Sequence, residues 1–204
     1  MKRFLTSLLC TLLFSLLATA GHAQFYTAGN TDISPLNTKS HPWEISLAGS
    51  VDFMKLKDVS GWEALSHQKG LSARALFYAI DFLALGLEGT AFADEKIAGV
   101  EKYTVYRMGL VSKLILATDT LPRSYVLLGG GKTARKLNYT FDWKESSSSA
   151  YYLLGAGVET DIWEMVFAGL EIHFIYNDKT PVGSFYHLRS RWETQLLLRA
   201  GIRF

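Results

Sequence analysis

Trp192-Glu193-Thr194-Gln195-Leu196-Leu197-Leu198-Arg199-Ala200-Gly201-Ile202-Arg203-Phe204 is the stretch that decides the fold. Every second side chain is Trp192, Thr194, Leu196, Leu198, Ala200, Ile202 and Phe204. Between them lie Glu193, Gln195, Leu197, Arg199, Gly201 and Arg203. One set is mostly apolar and the other mostly charged or small, with a period of two. That pattern predicts a long strand with one dry face. It runs through to an aromatic, Phe204. Together with the opposite end of the chain, it points to a barrel in a bacterial outer membrane.

The opposite end reads as an export signal. Lys2 and Arg3 precede an apolar stretch from Phe4 to Ala18, and small residues lead to Gly21-His22-Ala23 before Gln24. A short apolar run ending in small residues predicts a cleaved secretory signal over residues 1–23 rather than a retained anchor. Cys10 follows Leu9 inside the apolar run, a poor context for lipidation. Removing residues 1–23 takes Lys2 and Arg3 away, so 21 basic residues become 19 against 19 acidic ones. The remaining chain carries no net charge, and no nucleic-acid partner is expected. The single cysteine leaves with the signal, so neither a disulfide nor a metal–thiolate site is predicted.

Residues 24–204 suit one domain. Pro35, Pro42 and scattered Asn, Thr and Ser make 24–42 a periplasmic lead without strand pattern, ahead of a barrel over 43–204. No later apolar run reaches the roughly 20 residues a membrane helix needs. A chain of this kind enters lipid only as a closed sheet, which satisfies every backbone polar group.

Eight strands are predicted. They cover about residues 43–55, 70–79, 83–92, 102–114, 124–136, 151–161, 165–176 and 192–204. Each has about the 9–11 residues of a tilted membrane strand, or slightly more. Val166, Ala168, Leu170, Ile172, Phe174 and Tyr176 alternate with Gly169, Glu171 and His173 as cleanly as the terminal strand does. Gly129, Gly130 and Gly131 leave the facing of the fifth strand open. Long connections are expected near 56–69, 93–101, 137–150 and 177–187, and short ones near 80–82, 115–123 and 161–164. Alternation of long outer loops with short periplasmic turns is the habit of transmembrane barrels.

A soluble sandwich or lipocalin-like barrel also alternates. The charged face argues against it. Single charges sit among glycines, whereas the apolar face bears aromatics towards strand ends: Trp43, Phe53, Tyr106, Tyr152, Tyr176, Trp192 and Phe204. That arrangement suits lipid outside and a tight polar interior. The expected architecture is thus an all-β, eight-stranded antiparallel up-and-down transmembrane β-barrel.

With its signal, its eight alternating segments, Tyr152-Leu153-Leu154-Gly155-Ala156-Gly157-Val158-Glu159 and the ending Leu198 to Phe204, the chain resembles the small OmpA/OmpX-like outer-membrane barrels. The resemblance covers about 43–204 and speaks to architecture. It implies that Ile202 and Phe204 form the signal read by the barrel-assembly machinery. It also implies lipid and lipopolysaccharide as surroundings. Larger members carry a peptidoglycan-binding domain after the barrel; no such activity is transferred here.

Arg74, Glu88, Arg107, Lys132, Glu159, Glu171, His173 and Arg199 are the expected interior charges. Isolated charges inside a narrow barrel are costly, so they are expected to pair and fill the interior. Eight strands leave a space that side chains occupy, which disfavours a wide pore. A lipid-modifying enzyme is the main rival, since lipid A deacylases pair a histidine with a serine two residues on. Here that place belongs to Ile175, and His173 faces inward. Ser184 and Ser190 near His187 lack an evident orienting carboxylate. Gly129-Gly130-Gly131-Lys132-Thr133 ends like a phosphate-binding loop, but the glycine required six places before the lysine is Val126. The histidines show no zinc spacing. No catalytic, cofactor or metal residue is predicted. The expected role is structural or surface-interactive, through four long loops, with a lipid-modifying enzyme or narrow channel as alternatives.

Overall fold

The computed structural model describes residues 41–116 and 121–204. The predicted signal 1–23 and nearly all of the lead 24–42 lie outside the described residues. In chain order the strands are β1 Trp43–Phe53, β2 Leu56–Asp58, β3 Glu63–Leu65, β4 Gln68–Ile80, β5 Leu83–Phe92 and β6 Glu95–Ile97. They continue as β7 Val100–Ile115, β8 Arg123–Tyr139, β9 Lys144–Trp163, β10 Val166–Asn177, β11 Tyr186–Leu188 and β12 Trp192–Arg203.

The eight long strands β1, β4, β5, β7, β8, β9, β10 and β12 form a closed antiparallel up-and-down barrel. Each pairs with its neighbours in the chain, and β12 closes on β1. The backbone N–H groups of Trp43 and Phe204 each donate to the other's carbonyl at 3.0 Å, so both chain ends of the barrel share one rim. The short strands cluster at the opposite rim. There β6 pairs with β7, and β11, β2 and β3 make a small separate sheet.

Following paired residues once round the wall gives the stagger. The path runs Trp43, Phe77, Leu85, Ser112, Leu128, Leu154, Phe174 and Thr194, and returns to β1 at Phe53. It comes back ten residues along from where it left. A ten-residue stagger over eight strands tilts them by about 40° and leaves an interior of side-chain width.

The two faces differ sharply. Outward Leu47, Leu71, Met108 and Leu110 are each about two-thirds or more exposed, whereas inward Arg74, Arg199 and His173 are buried. Trp43 and Phe77 pack against each other at 5.0 Å on the rim of the chain ends. Tyr152, Tyr176 and Trp192 form a row of touching rings towards the other rim, with centroids 6.4 and 5.2 Å apart.

Three inward glycines stand opposite large rings. Gly157 pairs with Tyr125, Gly131 with Tyr151 and Gly201 with Phe167 across neighbouring strands. In each pair the ring belongs to an inward residue beside a position lacking Cβ. A Cβ on Gly157 would stand 2.5 Å from the Tyr125 ring, and one on Gly201 would stand 2.7 Å from Phe167. At Gly157 and Gly201 glycine therefore makes the space into which the ring folds, and the ring covers backbone that glycine leaves bare; a Cβ on Gly131 would instead meet the Met108 and Gly109 backbone, and it is Gly109 that lies against the Tyr151 hydroxyl.

The structure settles the facing of β8 and corrects one expectation. Alternation runs through the glycines without a register shift between β8 and β9. Tyr125, Leu127, Thr133 and Arg135 are buried, while Leu128, Lys132 and Lys136 are exposed. Lys132 therefore points outward and belongs to no interior network. The inward charge of this strand is Arg135, three residues on.

The connections also differ from expectation. The segment 137–150 is mostly strand: β8 and β9 continue as a paired hairpin to a turn at 140–143. Asp142 adopts a left-handed conformation there, with φ 58°. The Ser146–Ser149 run is polar because this ladder stands beyond the apolar band. The neighbouring connections, 54–67, 93–99 and 178–191, are longer and carry the short strands.

Replacing Gly157 by Val is expected to destabilise the barrel by about 1–3 kcal/mol, the range for overpacking. Adding Tyr125→Ala should return part of that loss. Urea unfolding followed by the heat-dependent gel shift measures both.

Candidate functional site

Inward charges occupy three connected tiers. The middle tier is centred on Glu171 of β10. Arg74 of β4 grips it with two nitrogens, each at 2.8 Å, and also reaches Glu88 of β5 at 2.5 Å. Arg199 of β12 donates to Glu171 at 2.8 Å and to Glu88 at 3.2 Å. His173 Nε2 lies 2.9 Å from Glu171, and the Tyr125 hydroxyl donates to it at 2.7 Å. Such bidentate, charge-assisted bonds are the strong kind.

The tier nearest the chain ends joins Glu44 of β1, Lys113 of β7, Glu159 and Asp161 of β9, Arg123 of β8 and Arg203 of β12. Lys113 bridges Glu44 at 2.9 Å and Glu159 at 2.6 Å. Arg203 holds Glu159 at 2.5 Å and Asp161 at 2.6 Å, and Arg123 holds Asp161 at 2.5 Å. The Arg203 guanidinium stacks 4.3 Å from the Phe167 ring, and Lys113 lies 4.6 Å from the Tyr125 ring. Aromatic faces thus supply part of the polar surroundings these cations need.

The tier nearest the loops is sparser. Arg107 pairs with Asp52 at 2.7 Å and with Glu193. Arg135 reaches Asn177 at 2.9 Å and Ser149 at 2.8 Å. Among the described residues, Arg107 Nε, Arg135 Nε, Asp52 Oδ1 and the Tyr103 hydroxyl find no hydrogen-bond partner. Above this tier lies an apolar cluster. Inward Phe92, Tyr103, Val105 and Leu137 meet Met54, Leu56, Ile97, Val182, Tyr186 and Leu188 from the connections. Backbone bonds tie these connections together, with Arg189 N–H donating to Lys55 at 2.8 Å.

Of the interior charges expected from sequence, the structure places Arg74, Glu88, Arg107, Glu159, Glu171, His173 and Arg199 inside, and Lys132 outside. It adds Glu44, Asp52, Lys113, Arg123, Arg135, Glu193 and Arg203. Glu44, Asp52, Lys113, Glu193 and Arg203 alternate with outward neighbours, so the same period that flags Arg199 flags them, whereas Arg123 and Arg135 lie on the strand whose glycines leave the facing open. The cluster Glu88, Glu171 and His173 brings ligand atoms within 4.8 Å of one another. Both carboxylates already face Arg74 and Arg199, whose charges repel a cation.

The catalytic candidates separate. His173 is buried against Glu171 inside the barrel, and Ile175 is buried there too. Ser184 donates to Glu145 at 2.6 Å, and Ser190 accepts from the Trp192 N–H at 3.1 Å. Among the described residues neither hydroxyl bonds to His187.

The loop rim carries a second constellation. Tyr139 and Trp143 stack at 5.1 Å across the tip of the β8–β9 hairpin, and Phe185 meets them edge-on at 6.1 and 5.7 Å. Glu145 holds the set together. It accepts from the Tyr139 hydroxyl at 3.0 Å, the Ser184 N–H at 2.8 Å and the Ser184 hydroxyl. Burial pushes its pKa up, but these bonds outweigh it and hold the carboxyl below the usual range. Phe141 at the hairpin tip is 94% exposed, and Trp62 in the β2–β3 connection is 77% exposed.

No family model matches the sequence, and no curated protein matches it. Solved structures do. The chain is similar to Neisserial surface protein A, at 12% identity and TM-score 0.63, over 80% of this chain and 97% of that one. It is also similar to Ail, the attachment invasion locus protein of Yersinia pestis, solved with the heparin analogue sucrose octasulfate. There the identity is 14% and the TM-score 0.52, over 79% of this chain and 99% of that one. At these identities the likeness establishes the barrel fold.

Glu171→Leu leaves Arg74 and Arg199 to share Glu88 as a counter-charge and is expected to cost about 3–5 kcal/mol. Asp52→Leu removes a single partner and should cost less. Parallel urea titrations rank the two. A depressed carboxyl stabilises above its ordinary pKa and loses that contribution as pH falls through the folded value. Acidification below the ordinary carboxylate range should therefore release Ser184 from Glu145. Hydrogen exchange in 178–191 should rise before the barrel strands respond.

Proposed function

We propose that this protein is an integral outer-membrane barrel that seals its own interior and acts through its loop-bearing rim, as a surface-contact protein. The observation that carries the reading is the inside-out wall: an apolar exterior around paired charges. A band of exposed Leu, Ile, Met and aromatic side chains around the wall is untenable in water. In lipid it is the stabilising surface. The aromatic rows near both rims suit the two interfaces.

The paired tiers and the apolar cluster above them support a plugged interior, without an aqueous path. The rim supports surface contact. The rings beneath Phe141 are held by hydrogen bonds and stacking, and the Trp62 N–H donates to the Asp58 carboxylate at 2.9 Å, so both side chains are presented on ordered supports, at low entropic cost to a partner. A fold neighbour named as an attachment protein is in keeping with this reading. The exposed Ile202 and Phe204, at the seam between the first and last strands, suit recognition by the barrel-assembly machinery.

Cells displaying Phe141→Ser with Trp62→Ser are expected to lose at least threefold in adhesion to an epithelial monolayer, with the heat-dependent gel shift unchanged. Unchanged adhesion would remove the contact role. In planar bilayers the wild-type protein should give no conductance steps. Discrete steps would favour the narrow channel.

A further inference from the structure

The β8–β9 hairpin stands well clear of the barrel. Gly130 of β8 opposes Tyr152, in the row of rings near the loop-side edge of the apolar wall, and Tyr139 lies nine residues further along the same strand. At about 3.4 Å per residue, the tip is about 30 Å along the strand from that row. Phe141 is therefore out of reach of the leaflet that surrounds the barrel. The tip is also firmly held. The Tyr139 N–H donates to the Trp143 carbonyl at 2.8 Å, and the Thr140 hydroxyl donates to the Gly99 carbonyl at 3.3 Å.

Side chains are sorted by polarity along this finger. Phe141 projects from the turn with its ring open on all sides. Below it come Trp143, Phe185 and Tyr139, the first two about half exposed. Lys144 and Lys136 follow on the outward face, one and three residue pairs below Tyr139, with exposed Ser146 and Ser148 beside them. Phe first, then Trp and Tyr, then ammonium and hydroxyl groups is the order of environments met on leaving a bilayer, from hydrocarbon through the interface to water.

Shape and charge narrow the occupant. A stable protein interface takes about 20–30 residues a side. The turn 140–142, capped by one ring, supplies far fewer. A bilayer accepts such a wedge without a matching pocket. Lys136 and Lys144 are balanced by Asp142 and Glu145, so residues 136–146 carry no net charge. An anionic surface gains nothing on a neutral tip. The exposed Asp142 carboxylate beside Phe141 restricts entry to the interfacial layer.

We propose that the hairpin is a docking finger that inserts Phe141 into the outer leaflet of a second, facing bilayer of zwitterionic lipid. Trp143 and Tyr139 rest among its headgroups, while the barrel wall anchors the other end in its own membrane. The proposal rests on the surface-contact reading above and names the partner.

The test uses the full barrel in sucrose-loaded phosphatidylcholine vesicles, mixed with fluorescent, protein-free phosphatidylcholine vesicles and pelleted. The barrel should carry down at least fivefold more fluorescence than loaded vesicles without protein. Phe141→Ser should lower capture to that background, with the heat-dependent gel shift unchanged, and Phe141→Trp should retain capture. Target vesicles of dibrominated phosphatidylcholine should quench the emission of Phe141→Trp more than that of the wild type. Doping the targets with phosphatidylglycerol should change capture less than twofold. Absence of capture, capture that Phe141→Ser leaves intact, equal quenching, or a larger gain on phosphatidylglycerol overturns the proposal. Adhesion of displaying cells to a monolayer separates the other occupants. Adhesion that needs Phe141 but ends when the monolayer is treated with trypsin assigns the tip to a protein, and adhesion that ends with glycosidase assigns it to a glycan. Either result overturns the lipid assignment and leaves the contact reading standing. Adhesion indifferent to both Phe141 and Trp62 removes the contact reading itself.

Discussion

Every charge carried into this barrel must meet a counter-charge inside a space one side chain across. A guanidinium left unpaired there would have neither water nor lipid to turn to. The solution is shared partners. Glu171 takes bonds from Arg74, Arg199, His173 and Tyr125, so residues of four strands are held by one carboxylate. The network thereby fixes register. A slip of one residue on any of those strands would turn its inward charge to the outside.

The same crowding explains the glycines. Tyr125 and Phe167 are too large to share their level with another inward side chain on the neighbouring strand. Gly157 and Gly201 stand opposite them. Each ring then serves twice, as filler and as polar or cation-facing surface. Tyr125 bonds Glu171 with its hydroxyl while its face lies near Lys113. Volume and electrostatics are thus satisfied by the same atoms.

Much of this was legible from alternation alone. Arg74 between Ala73 and Ala75, and Glu171 between Leu170 and Ile172, announce their facing because each is flanked by apolar residues on both sides. Lys132 was not legible, because Gly129, Gly130 and Gly131 carry no side chain from which to count. The count from Leu127 inward and Leu128 outward, carried through an unshifted ladder, places it. Asp52 and Glu193 shared the inward face with Ser50 and Gln195, and their sequence position did not reveal that Arg107 would bring them together. The hairpin 137–150 read as loop because, beyond the lipid band, neither face needs to be apolar. Alternation reports an environment, and where the environment ends the strand becomes silent.

That limit also marks where different physics governs the molecule. Within the band, lipid outside and paired ions inside constrain almost every position. Beyond it, Phe141 and Trp62 are held by neither. A large aromatic ring left in water costs free energy that a sealed, rigid wall does not require. The supports beneath the rim sharpen the point. Glu145, Ser184 and the Tyr139–Trp143 stack hold the hairpin tip in place, whereas a hairpin needed only to reverse the chain would end in a plain polar turn. The exposure of apolar surface on an ordered support is therefore the feature that the barrel's own stability leaves unexplained, and it is the feature on which the proposed surface-contact role rests.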